Sequence, residues 1–181
     1  MAALIKKQKA PAVEDQLSAE HFELLMELMD ANGWDHYEIS NMAISEKFRS
    51  KHNSSYWSGD SYLGLGPSAH SFRPGIRSWN ISNNALYIGA LQKAILPSDS
   101  EELSEIMRFN EYVMTGLRTK EGISKDYIHR HFSKKFSVHF ENELKKINPE
   151  FFVPGNEVTV LNRKGKLFAD KIASDLFYVE K

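Results

Sequence analysis

Phe22, Leu25, Met26 and Met29 recur at helical spacing, which predicts a helix over about residues 19–31 with Ser18 as N-cap and Gly33 as its left-handed stop. The residues before it, 1–16, read as a polar connector. The short runs 36–39 and 62–65 predict strands. Both are apolar on two faces, which fits a covered α/β unit better than an antiparallel ribbon with one face in water. Ile76 to Ile81 is a weaker third strand, residues 84–93 a helix, and Pro97-Ser98-Asp99-Ser100 a linker.

The pattern changes after that linker. Ser100 is expected to cap a long helix whose apolar stripe is Leu103, Ile106, Met107, Val113, Met114 and Leu117. Gly122 breaks it, and Ser124 caps a short helix ending near His131. A third helix carries Phe136, Phe140, Leu144 and Ile147 on one face and stops before Pro149, because proline forces its predecessor out of helical geometry. Residues 151–153 and 158–161 flank Pro154-Gly155-Asn156, a hairpin turn. A last helix places Phe168, Ile172 and Leu176 on one side. Three helices, a two-stranded wing and a closing helix describe a winged-helix-like module.

Composition narrows the classes. With 41% hydrophobic and 26% charged residues, the 181-residue chain has room for one ordinary domain or two small ones. Its formal charge is −1, and residues 101–181 carry 14 basic against 13 acidic side chains, so neither the whole nor the helical half attracts nucleic acid electrostatically. The apolar run at the N-terminus is too short for a signal peptide, and no stretch approaches the ~20 apolar residues of a membrane span. These features predict a cytoplasmic protein. The chain has no cysteine, which excludes disulfides and thiolate-held metal clusters.

His52, Asn53, Tyr56 and Trp57 place one imidazole beside two aromatic rings. An imidazole can ligate a metal and the rings offer flat apolar surface. From composition alone, a loop histidine with core aromatics explains them as well. Gly64, Gly66, Ser68 and His70 either let a ligand approach the backbone or simply form a tight strand exit. Glu38, at a strand end, either orients a substrate or pairs with Arg49 or Lys51. His21, His129, His131 and His139 have no ligand-like spacing, since helical residues two apart face different ways, and they read as surface or core-edge residues. Arg163-Lys164-Gly165-Lys166 reads as a solvated wing-like turn. No phosphate loop or nucleophile elbow is present.

Three segments taken together, Tyr37-Glu38-Ile39-Ser40-Asn41, His52-Asn53-Ser54-Ser55-Tyr56-Trp57 and Tyr62-Leu63-Gly64-Leu65-Gly66-Pro67-Ser68-Ala69-His70-Ser71-Phe72, carry a family likeness. The chain resembles the oxygen-independent coproporphyrinogen III oxidase-like proteins of the radical S-adenosylmethionine superfamily, on the branch that includes the bacterial haem chaperones. The resemblance covers nearly the whole chain but only the family's C-terminal part. It implies an α/β fold class: the last strand–helix units of an incomplete (β/α) barrel over residues 1–98, then an α-helical winged-helix-like domain over 99–181. The family associates His-Asn-x-x-Tyr-Trp with haem. The resemblance therefore implies haem binding through His52, Asn53, Tyr56 and Trp57, with His52 as iron ligand, and a cofactor-pocket wall formed by Glu38, Gly64, Gly66, Ser68 and His70. The family's [4Fe-4S] cluster and S-adenosylmethionine require Cys-x-x-x-Cys-x-x-Cys, so both are expected only in full-length relatives. The expected function is a fragment acting in porphyrin or haem metabolism without radical activity of its own. The expected partners are haem or porphyrin and, through the unpaired sheet edge of residues 35–72, a second copy of the chain. The rival readings are a winged-helix nucleic-acid-binding module, which the near-neutral charge opposes, and an inactive remnant.

Overall fold

The structure, a computed structural model, describes residues 14–155 and 157–180, so most of the expected connector and Asn156 of the expected turn lie outside the described residues. The chain divides between Phe48 and Arg49 into two compact units.

In the first unit, helix α1 spans Asp15–Ala31 and buries Met26. It begins a turn earlier than Ser18 suggested. Ser18 lies inside it and donates its hydroxyl back to the Glu14 carbonyl at 3.0 Å instead of capping. Strand β1, Asp35–Glu38, folds back antiparallel on β2, Asn41–Ala43. This corrects the expectation of a covered parallel strand, and the cause is local. The Glu38 carboxylate, only 2% exposed, accepts hydrogen bonds from the Ser40 amide and the Asn41 side chain, which staples the turn.

The second unit opens with α2, Lys51–Ser58, whose first turn is capped by Ser50 accepting from the Asn53 amide. A three-stranded antiparallel sheet follows in the order β3 (His70–Arg73), β4 (Ile76–Asn80), β5 (Ser98–Glu102), with Trp79 between His70 and Asp99. Helix α3, Asn84–Leu91, joins β4 to β5. The presumed linker at 97–100 therefore enters an edge strand. Its side chains are exposed, so the run Ser98-Asp99-Ser100 never needed the apolar alternation by which a strand is recognised. Conversely, 62–65 is not a strand. Only Tyr62 bridges to Phe72, while Leu63 and Leu65 are 76% and 83% exposed. The buried Asn80 holds this segment instead, donating its side-chain amide to the Gly64 and Gly66 carbonyls at 3.3 and 2.9 Å.

Helix α4, Glu105–Arg118, starts at Ser104, not Ser100; the Ser104 hydroxyl accepts from the Met107 amide. It buries Phe109, Val113 and Leu117, whereas Met107 and Met114 of the expected stripe are 38% and 39% exposed. Gly122 turns the chain at φ 72°, where an added Cβ would lie 2.7 Å from the Thr159 carbonyl oxygen. Ser124 then caps α5, Lys125–His131, as expected, and α6 spans Lys134–Leu144. Strand β6, Ile123–Ser124, pairs antiparallel with β7, Val158–Thr159, and Phe152 bridges to Leu161, so the wing is present in short form. The basic run forms a single helical turn, α7 (Arg163–Lys166), capped by Asn162, and is not a hairpin tip. Helix α8, Ala169–Leu176, closes the module against α4 and α6 around Phe109, Phe136, Phe140, Ile172 and Leu176. Phe168 is excluded from that face and rests on Phe151, ring centres 5.2 Å apart. Ser133 donates through its amide and hydroxyl to Glu105, and these bonds hold the Glu105 carboxyl below its ordinary pKa.

Candidate functional site

A cavity of ≈ 790 Å³ opens within the second unit, between the end of α2, the β3–β4 turn, and the faces of α4 and α5. That lies inside the roughly 300–1,000 Å³ range of sites that enclose a small organic ligand. Its near wall carries Asn53, Tyr56 and Trp57 from α2, together with Tyr62 and Phe72. Helical spacing explains the grouping: residues three and four apart share a face, so Asn53, Tyr56 and Trp57 point together. The rings form a ladder, Tyr56 to Tyr62 at 4.6 Å and Tyr62 to Phe72 at 6.1 Å. Trp57 is backed by the Arg118 guanidinium 5.3 Å from its ring centre, and Arg118 is tied to Asp170 at 2.9 Å. The Trp57 indole N–H is buried without a hydrogen-bond partner.

The far wall carries Arg108, Glu111, Tyr112, Tyr127, His131 and Phe132. Tyr112 stacks on Tyr127 at 4.5 Å, and Tyr127 stacks on His131 at 4.0 Å. Burial raises the hydroxyl pKa of both Tyr62 and Tyr112, so both phenols stay neutral at physiological pH. Tyr112 is further engaged with Ser124, accepting from its amide at 3.0 Å. Glu111 pairs with Arg77, which also reaches Glu101 at 3.3 Å.

The nominated residues divide. Asn53, Tyr56 and Trp57 meet at the cavity. His52 sits on the same helix, exposed, its ring edge-on to Tyr56 at 4.9 Å. Gly64, Gly66, Ser68 and His70 stand outside the lining. Ser68, at φ 60°, and His70, at the start of β3, are exposed. Glu38 holds its own turn in the first unit, and Arg49, one of its expected partners, reaches Glu121 at 3.1 Å. The sequence reading missed Arg108, Tyr112, Tyr127 and His131. Its spacing of two from His129 hides His131, although its spacing of four from Tyr127 marks a shared helix face.

No protein-family model matches the chain. Over 93% of its length it is 30% identical to the heme chaperone HemW of Bacillus subtilis, and over 85% it is 31% identical to HemW of Lactococcus lactis. Its homologues are heme chaperones and radical S-adenosylmethionine domain proteins. The latter include a mitochondrial protein of Bos taurus, 29% identical over 92% of the chain. The chain spans less than half the length of these relatives: 45%, 36% and 37% in the order given. Among solved structures, the radical SAM enzyme coproporphyrinogen III oxidase of Escherichia coli matches 84% of the chain and 39% of its own, at TM-score 0.62 and 16% identity. At that identity the match establishes the fold. The present chain, mixed helix and strand with no closed barrel among the described residues, shares it. Among the described residues no helix is long and apolar enough to cross a membrane.

Proposed function

We propose that this chain is the haem-binding portion of a haem-handling protein, and that it holds the porphyrin in the aromatic cavity beside α2. One observation carries the reading. Three of the four motif residues, Asn53, Tyr56 and Trp57, line a cavity of porphyrin-compatible size in a chain homologous to heme chaperones. The lining suits a flat apolar ring, and the unpartnered Trp57 N–H offers a donor. His52, one ladder step from the cavity, would hold the iron, whose ligation by imidazole is the chemistry a bound haem supplies. Glu38, Gly64, Gly66, Ser68 and His70 are proposed to serve the cofactor-pocket wall of a longer chain. A [4Fe-4S] cluster does not fit the residues present, since thiolates are absent from the sequence.

Haemin titrated into the protein and followed at the Soret band should bind saturably. Affinity should fall at least several-fold in His52→Ala and stay near the parent's in His70→Ala. Parent-like binding by His52→Ala would remove the ligand assignment.

Self-association is the second proposed property. Leu63 and Leu65 stand 76% and 83% exposed, next to the bridge that ends the sheet at Tyr62. Sedimentation at increasing concentration should show a dimer in the parent and a monomer in a Leu63→Ser, Leu65→Ser variant. A parent that stays monomeric at tens of micromolar rules this out.

A further inference from the structure

We infer that the far wall, built by α4 and α5, is the recognition half of the porphyrin site: His131 is a second iron ligand and Arg108 takes a ring carboxylate. This rests on the porphyrin reading above and deepens it.

Two of the cavity's polar groups are already engaged. Glu111 is neutralised by Arg77, and the Tyr112 hydroxyl is occupied by Ser124. Of the charged and metal-ligating side chains in the lining, Arg108 and His131 remain. Among the described residues, neither side chain makes a hydrogen bond or an ion pair, though the Arg108 charge is felt by the exposed Glu105 carboxylate one turn back on the same helix. A guanidinium in a planar fork matches a carboxylate with two parallel hydrogen bonds, and its charge is of the sign that a dianionic porphyrin needs. His131 is fixed in orientation by stacking on Tyr127 at an interplanar angle of 27°, which leaves its ring nitrogens at the edge and uncommitted. A neutral imidazole is a good donor to haem iron, and the Tyr112 hydroxyl is already engaged with Ser124. The two aromatic ladders thus each end in an imidazole, His52 on one side and His131 on the other. Apolar rings grip the macrocycle, while the far wall tells a metallated, carboxylate-bearing porphyrin from a merely flat molecule.

Three probes separate the parts: haemin, iron-free protoporphyrin IX, and protoporphyrin IX dimethyl ester, each titrated into the parent, Arg108→Gln and His131→Ala, with circular dichroism to confirm folding. Arg108→Gln should weaken iron-free protoporphyrin IX roughly tenfold, as loss of a charge-assisted pair does, and leave the ester unchanged. His131→Ala should leave both iron-free probes unchanged but convert the ferric haem spectrum from low-spin to high-spin, with added imidazole restoring it. Equal effects of Arg108→Gln on acid and ester, or none on either, overturn the carboxylate assignment. An unaltered haem spectrum in His131→Ala overturns the ligand assignment. If no probe saturates the parent, the porphyrin reading falls and takes this inference with it.

Discussion

Phe109→Ala should be among the most damaging truncations in the helical module, lowering the free energy of unfolding by about 3–5 kcal/mol. The ring has no exposed surface and meets Phe132 at 5.6 Å and Phe136 at 4.9 Å, so its removal leaves a void bordered by rings that cannot collapse into it. Set against the ~5–15 kcal/mol that a domain has in total, the loss should bring the midpoint of urea unfolding down sharply. Met107→Ala on the same helix is the comparison. At 38% exposed it should cost under about 1 kcal/mol. The contrast tests which face of the helix is inward, because the expected stripe makes Met107 a core position. Similar losses for the two variants would contradict the phase described.

The second large effect is expected at Gly64. A Cβ there would lie 2.1 Å from the His70 carbonyl oxygen and 2.8 Å from the His70 nitrogen, both backbone atoms of β3 that cannot step aside. Alanine must lift the glycine segment off the strand, breaking the bond from the Gly64 amide to the Ser71 hydroxyl and the clasp from Asn80. With two or three hydrogen bonds at about 1 kcal/mol each, Gly64→Ala should cost ~2–3 kcal/mol. Tyr62 lies two residues away in the cavity wall, so porphyrin affinity should fall as well. Gly66→Ala, whose Cβ would meet no atom within 4 Å, should disturb the Asn80 clasp less, despite the strain of its φ of 98°. A Gly64→Ala protein with parent stability would mean that the segment does not lie against β3 as described.

Much of the helical module was legible because its signals are periodic and local. Ser124 as a cap, the stop before Pro149 and the inward face of Phe136 and Phe140 follow from spacing alone. What failed was decided by tertiary context. Ser98-Asp99-Ser100 becomes a strand because β4 offers an edge, and polarity is no bar there. Leu63 and Leu65 look like strand residues, yet a side chain sixteen positions downstream of Gly64, Asn80, holds the backbone in a loop. At the site, Asn53, Tyr56 and Trp57 could be read from the motif because they share one helix. Arg108 and His131 reach the cavity from helices on the other side of a turn, and no spacing within the motif points to them.

The side chain of Asn110 grips the backbone of Tyr178 at both ends, donating to its carbonyl at 3.0 Å and accepting from its amide at 2.8 Å, across 68 residues of sequence. The first helix of the module is thereby locked to the stretch that follows α8. On a ribosome, α4 emerges long before the segment that completes its packing, and the loop that must close is most of the module. The part of α4 that packs on α8 then waits uncovered until α8 has been made, so a slowed or interrupted translation exposes apolar surface to chaperones and proteases. The Asn110–Tyr178 clasp is the latch that ends this exposure.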